Sequence, residues 1–292
     1  MGILVTGSNG QMGRELRRIA ANSSLQGWTF SDVSELPGEE TVSLDITDTQ
    51  AVNVLTDDLR PSFIINCAGY TDVEKAESEP EAARRLNAEA PRMLAAAAAR
   101  TGACLVHIST DFVFPGDGIM PLKEDDPTGP VNVYGATKLE GEKAVLESGC
   151  RALVIRTAWM YSPYGRNFVK TMLSLFERRD SLSVVDDQTG SPTYAADLAA
   201  FIVSLAQGPS LPVEGLLHYA GDCAVSRFDF ARAIRDISGS SCELVPCSSG
   251  DYPSKARRPA CAALDCTRYK EFFKTGLPSW RSSLADCISR LG

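Results

Sequence analysis

The stretch Ile3-Leu4-Val5-Thr6-Gly7-Ser8-Asn9-Gly10-Gln11-Met12-Gly13 decides the fold. Ile3, Leu4 and Val5 read as a short buried strand, and the glycines repeat as G-x-x-G-x-x-G ahead of a helix beginning near Gln11. Each glycine has a physical use: one permits a tight turn, one lets backbone approach a pyrophosphate, and one lets helix and strand touch. The helix N-terminus adds free N–H groups and the positive end of its dipole, so the anion needs no lysine. The reading is a dinucleotide site built on Gly7, Gly10, Gln11 and Met12; its plainer rival is an ordinary glycine-rich turn, which the strand before and helix after disfavour.

Outward from this loop the pattern repeats. Trp28-Thr29-Phe30, Ser62-Phe63-Ile64-Ile65-Asn66, Ala103-Cys104-Leu105-Val106-His107-Ile108 and Ala152-Leu153-Val154-Ile155 read as strands separated by helical stretches. Unbroken apolar strands alternating with crossovers belong to a parallel sheet covered on both faces, so the fold class is α/β, a Rossmann-type doubly wound sheet. One helix is expected from about 81 to 100, its Ala95 to Ala99 run packing closely on the sheet. After Arg156 the rhythm loosens into turn-rich pieces such as Ser162-Pro163-Tyr164-Gly165. The expected division is a dinucleotide-binding domain over 1–156, to which about 182–206 returns, and a smaller α+β substrate region over 157–292. Without a long linker or repeat, the two should pack directly and form a cleft.

The ends of these strands carry the next signals. Asp32, closing the second strand, can hydrogen-bond ribose hydroxyls and would repel a 2′-phosphate. No Arg or Lys lies between Ala20 and Leu59, leaving Arg14 as the nearest cation for such a phosphate; NADH is favoured over NADPH. Asp45 and Ile46 flank the adenine, unless Asp45 caps the helix after Thr47. In Asn66-Cys67-Ala68-Gly69-Tyr70 the small residues let backbone at Ala68, Gly69 and Tyr70 approach the cofactor, although Asn66 also reads as a turn residue.

Composition narrows the partners. The chain has 292 residues, 44% of them hydrophobic, and a net charge of −8, which disfavours nucleic acid and anionic membrane as partners. No signal-peptide pattern precedes the first strand, and no run of about 18 apolar residues occurs, so a soluble cytoplasmic protein is expected. Nine cysteines without a C-x-x-C pair read as reduced, mostly buried thiols. His107 and His218 are the two histidines, and neither has a second ligand at zinc spacing, so no transition metal is expected.

The chemistry resides in Ser109-Thr110-Asp111, ending the fifth strand, and Tyr134-Gly135-Ala136-Thr137-Lys138 on the helix that follows. Ligands of open α/β sheets bind beyond the carboxyl ends of the strands, which puts Thr110 on the glycine-loop side. Tyr134 and Lys138, four residues apart, share one helix face. A lysine cation together with an oxidised nicotinamide should lower the tyrosine pKa toward neutrality. Alone, Y-x-x-x-K is usually a solvated helix face; after a glycine loop and a Ser-Thr pair it reads as hydride transfer at a carbonyl. Tyr134 then gives the proton, Thr110 hydrogen-bonds the oxygen, and Lys138 holds the nicotinamide ribose.

With these motifs in place, the chain resembles the extended short-chain dehydrogenase/reductases, and among them the dTDP-4-dehydrorhamnose reductases. Further segments carry the resemblance: Thr71-Asp72-Val73-Glu74-Lys75-Ala76-Glu77, Arg156-Thr157-Ala158-Trp159-Met160-Tyr161, Asn167-Phe168-Val169 and Asp187-Gln188-Thr189-Gly190-Ser191-Pro192-Thr193. It implies NAD(P)H-dependent reduction of the 4-keto group of dTDP-4-dehydro-L-rhamnose, the last step of dTDP-rhamnose synthesis for cell-surface polysaccharide. Thr110, Tyr134 and Lys138 match the family triad. The resemblance also implies that Asp111, Phe112 and Trp159 surround the sugar and that Asn167 and Phe168 approach the dTDP portion; Trp159 reads equally as core. Arg257-Arg258-Pro259 resembles a late family segment, where Arg258 would face the diphosphate or lie on an exposed charged face.

Two departures stand out. Phe112 replaces the family's usual tyrosine. Some members hold magnesium in an acidic cluster at a homodimer interface; Glu15 matches one position, Asp197 replaces a longer glutamate and the third is missing, so a homodimer that depends on metal is not expected. Rival readings are reduction or 4-epimerisation of another nucleotide-linked keto-sugar and a non-catalytic regulatory subunit. A dehydratase would need an acid where Phe112 stands.

Overall fold

The computed structural model describes residues 2–118, 121–208, 210–251 and 254–291. Its centre is a parallel sheet of β1 (Ile3–Thr6), β2 (Trp28–Asp32), β3 (Val42–Ser43), β4 (Phe63–Asn66), β5 (Cys104–Thr110), β6 (Arg151–Thr157) and a seventh strand, Gly215–His218. From one edge, the order is β3, β2, β1, β4, β5, β6, then Gly215–His218, every pairing parallel. The direction of winding therefore reverses between β1 and β4, which opens a crevice beyond their carboxyl ends.

Period-two alternation explains why these strands are apolar throughout. Ile3, Val5, Phe63, Ile65, Val106, Leu153 and Ile155 face the helix Ala195–Leu205 in one buried cluster. Leu4, Ile64, Leu105 and Val154 face the helix Ala90–Thr101 on the other side. Ala95, Ala97 and Ala98 lie in that second cluster, the close helix-to-sheet packing expected of the alanine run.

The helix expected over 81–100 differs in form. It begins as Pro80–Arg84, widens into a π-turn at Arg85–Glu89, and resumes as Ala90–Thr101. Pro91 lacks an N–H and would crowd the carbonyl of Asn87, and the wider turn relieves both. It also frees Asn87 to act elsewhere: its Oδ1 accepts from Tyr70 N at 2.8 Å and its Nδ2 donates to Thr137 Oγ1 at 3.2 Å.

The second region pairs strand Ser181–Val185 with Glu243–Cys247 and packs Tyr161, Val169, Met172, Phe230, Trp280 and Leu284 into a core of its own. Ser181–Val185 therefore lies outside the main sheet, correcting the expected return of 182–206; the stretch that rejoins runs from Ala195 through the strand ending at His218. The thiols are also less buried than expected. All nine cysteines are free, but only Cys104, Cys242, Cys266 and Cys287 are buried, and Cys223 is exposed. Among the described residues no helix is long and apolar enough to cross a membrane.

Candidate active site

A cleft of about 1760 Å³ lies between the two regions, beyond the carboxyl ends of β1, β4 and β5. Gly7 turns the chain at its floor with φ +67°, and a Cβ there would fall 2.4 Å from Ala68 N. At Gly13 a Cβ would strike Ser8 Cα at 2.4 Å, so this is the glycine that lets helix Gln11–Ala20 close onto the turn that follows β1. Gly10 caps that helix without a side-chain hydrogen bond, leaving its first N–H groups free to face a pyrophosphate.

Asp32, Asp45, Ile46, Ala68 and Gly69 line the same cleft. Asp32 Oδ2 accepts from Asn9 N at 3.0 Å, which holds the carboxylate against the glycine loop. Asp45 does not cap the following helix: Asp48 does, while Asp45 accepts from Thr47 N and Oγ1 at 2.8 and 2.7 Å, bonds that lower its pKa. Tyr70 departs from expectation. It is absent from the cleft wall, and its hydroxyl donates to Glu79 Oε2 at 2.7 Å. Arg14 also departs, laying its guanidinium 4.1 Å over the Tyr164 ring, and the buried Arg17 is spent on Ser8, Glu40 and Thr41.

The reacting end is built on β5 and helix Val133–Leu146. Thr110 Oγ1 donates to Asp111 Oδ1 at 3.0 Å and accepts from Phe112 N at 3.2 Å. Helix Val133–Leu146 starts where Asn132 Oδ1 accepts from Gly135 N at 2.8 Å; the same side chain donates to Arg257 O at 2.7 Å. Tyr134 packs edge-on against Phe112, ring centres 5.4 Å apart, so the ring retained at 112 buttresses the phenol. Burial pushes the phenol up to about 12, a rise that hydrogen bonding with Thr110 offsets and Asp111 adds to. In the free chain burial is the largest influence on the phenol; the lowering expected from Lys138 belongs with an oxidised nicotinamide beside it.

Lys138 is itself the perturbed group. Burial holds it down to about 8, against the attraction of Glu142. Its Nζ donates to Ile108 O at 2.6 Å and lies 3.5 Å from His107 Nε2. A polar chain runs from the glycine loop's own strand as far as His107: Thr6 Oγ1 donates to Asn66 Oδ1 at 2.8 Å, and Asn66 Nδ2 lies 3.0 Å from His107 Nδ1. Because Asn66 Oδ1 also accepts from Ala68 N, its amide must donate to Nδ1, leaving the imidazole proton on Nε2. Asn66 thus serves as a network residue as well as a turn residue. Below the triad, Glu142 accepts from Ser109 Oγ at 2.5 Å and pairs with Arg156 at 2.8 Å, all three buried.

Asp111, Phe112, Trp159, Asn167, Phe168 and Arg258 all line the cleft. Trp159 has φ +44°, strained for a side chain of its size, and fits because Gly190 presents no Cβ: one there would fall 2.4 Å from its ring. Asn167 is turned away from open space; its Nδ2 donates to Gln11 Oε1 at 2.9 Å and Ser162 O at 2.7 Å while its Oδ1 caps helix Phe168–Phe176. Arg258 pairs with Glu74 at 3.2 Å, and Glu74 is lowered to about 2 by hydrogen bonds that outweigh its burial. Sequence reasoning missed Arg227, a cleft-wall residue whose guanidinium lies 3.6 Å over the Trp159 ring. It stands in no motif, and its helical periodicity alone marks a half-exposed face.

The acidic cluster does not fit a cation. Glu15 is fully buried and pairs with Arg18 at 2.9 Å and Arg290 at 3.0 Å, while Asp197 accepts from Ser283. Arginines already neutralise Glu15, and no group of three or more His, Cys, Asp or Glu among the described residues could hold a metal.

Comparison with known proteins agrees in sequence and in shape. A dTDP-4-dehydrorhamnose reductase of Mycolicibacterium smegmatis is 42% identical, with 98% of this chain and 85% of that one covered. The crystal structure of a dTDP-4-dehydrorhamnose reductase from Clostridium acetobutylicum superposes with TM-score 0.91 at 37% identity, covering 100% of this chain and 99% of that one. Another, from Bacillus anthracis in complex with NADP, gives TM-score 0.88 at 34% identity, covering 99% and 100%. The family described as the RmlD substrate binding domain matches residues 1–292, and the chain belongs to it.

Proposed function

We propose that this chain is an NAD(P)H-dependent oxidoreductase that reduces the 4-keto group of dTDP-4-dehydro-L-rhamnose to dTDP-L-rhamnose, the last step of dTDP-rhamnose synthesis. One observation carries the reading: Thr110, Tyr134 and Lys138 meet the glycine cradle in a single cleft. The cradle fits a dinucleotide, with Gly7, Gly10, Gln11 and Met12 at the pyrophosphate and Asp32 at the adenosine ribose; bound there, the reduced nicotinamide supplies the hydride.

The chain's own part is proton supply and positioning. Burial keeps the Tyr134 phenol protonated through the physiological range, which suits a donor to the alkoxide that forms at C4. Thr110 steadies that oxygen beside the phenol by turning its hydroxyl proton to it from Asp111, and Lys138, pinned to Ile108 O, has donors left for the nicotinamide ribose. The phenolate left behind regains its proton from solvent. Phe112 offers no acid for dehydration, which favours simple reduction.

The reaction belongs in the cytoplasm, where reduced nicotinamide is made, and any homodimer forms without magnesium. The test is loss of reduced-nicotinamide absorbance with enzymatically prepared dTDP-4-dehydro-L-rhamnose, using Tyr134→Phe as control. Stoichiometric turnover, lost in the variant by roughly 10²-fold or more, is expected. Bound cofactor that is never oxidised would overturn the reading in favour of another keto-sugar or a regulatory subunit.

A further inference from the structure

We propose that Arg227 is the cation that receives the diphosphate of the nucleotide-sugar, the role expected of Arg258 from sequence; this rests on the reading of the substrate as a nucleotide-linked sugar. The Arg227 guanidinium lies over two aromatic rings, 3.6 Å from the Trp159 ring centre and 5.0 Å from that of Phe168, and forms part of the cleft wall. Among the described residues it has no side-chain hydrogen bond and no ion pair within 4.0 Å; its backbone N donates to Gln188 O at 3.0 Å. The N–H donors of its rigid plane are thus left for a ligand in the cleft, beside aromatic rings.

Its surroundings say what should fill that space. Asp111 attracts Arg227 from a distance, and Arg258 repels it, while burial holds the guanidinium down to about 9. Such a cation gains most from an incoming anion, and Arg258 is the weaker competitor because Glu74 already pairs with it. Asp111 Oδ2 is buried without a partner next to Thr110, marking where the sugar hydroxyls and C4 sit. The diphosphate is attached across the sugar ring from C4, so the cation that holds it must stand one sugar width from Tyr134 without touching the triad. The cofactor's own pyrophosphate is provided for at Gly7 and Gly10 and does not call on Arg227.

The experiment compares dTDP, thymidine and NADH binding to the full-length protein by calorimetry, for wild type, Arg227→Met, Arg227→Lys and Arg258→Met. Methionine keeps the stem packed on Trp159 while removing the charge. Arg227→Met should weaken dTDP roughly 10- to 100-fold and leave thymidine and NADH within about twofold, with Arg227→Lys recovering part of the loss and Arg258→Met changing dTDP little. Unchanged dTDP affinity in Arg227→Met, an equal loss for thymidine, or a wild type that binds dTDP no better than thymidine would each overturn the assignment. Failure of the reductase reading shows separately, as absent turnover of the keto-sugar by a wild type that still binds dTDP through Arg227.

Discussion

Lys138 donates a 2.6 Å hydrogen bond to the carbonyl of Ile108, and so fastens the helix that carries Tyr134 to the strand that ends in Thr110. The price is a buried ammonium. Its folded pKa of about 8 lies below the ordinary 10.5, so the unfolded chain holds this proton more tightly and wild-type stability rises with pH between those values.

Lys138→Met should therefore lose turnover by roughly 10²-fold or more yet be no less stable than wild type at pH 7, with a gain of up to about 3 kcal/mol offset by the lost bond to Ile108. The stability gap should narrow as pH rises from about 8 toward 10.5. Urea unfolding of both proteins across that range checks it; a constant gap would mean that Lys138 is not the titrating group.

Gly135 is the point where the same helix presses on Phe112. A Cβ there would fall 2.1 Å from the Phe112 carbonyl oxygen, a backbone atom that cannot swing aside. Gly135→Ala should cost roughly 1–3 kcal/mol despite alanine's better helix propensity, and should displace Tyr134 and Phe112 together. Activity should fall at least about tenfold with NADH affinity nearly unchanged. Equal stability and activity would show that the helix shifts freely at this contact.

What could be read in the sequence was what neighbouring residues decide. Gly7 and Gly13 announce their turn and close approach locally, and Tyr134 and Lys138 share a face because four residues nearly complete a helical turn. The fold class followed from strand composition for the same reason. The ion pair of Arg258 with Glu74 was not legible, because that partner lies 184 residues away in sequence. Tyr70 follows a motif of small residues, but Glu79 and Asn87 turn it aside. The burial that raises the Tyr134 phenol in the free chain is something a Y-x-x-x-K spacing does not contain.

Cofactor preference rests on Asp32. Its carboxylate lies in the cleft wall, held by Asn9 N at 3.0 Å, while Arg14 and Arg17 are turned to other partners. NADH should be preferred over NADPH in kcat/KM, and Asp32→Ala should shift the ratio toward NADPH by roughly tenfold or more through lost repulsion of the 2′-phosphate. Steady-state kinetics with both cofactors decide it. A wild type that prefers NADPH would mean that the phosphate turns away from Asp32.

Asp111 gives the clearest dependence on pH. Burial pushes its carboxyl up to about 7, against hydrogen bonding from Thr110 and the attraction of Arg227, and its Oδ2 has no hydrogen-bond partner. An acid whose folded pKa lies above its ordinary 3.8 is held more tightly by the folded protein, so this group's contribution to stability falls as pH rises from about 3.8 to about 7. Asp111→Asn keeps the shape and removes the charge. The variant should therefore be more stable than wild type at pH 8, by a margin on the order of 2 kcal/mol, and the margin should fade toward pH 4 as the wild-type carboxyl takes up its proton. The proton count also makes a claim about binding. If sugar hydroxyls donate to Asp111 when substrate binds, they favour the carboxylate, so dTDP-sugar binding near pH 6 should release a proton in wild type and none in Asp111→Asn. Calorimetry in buffers of different ionisation enthalpy measures that difference, and equal proton release from both proteins would remove Asp111 from the sugar's contacts.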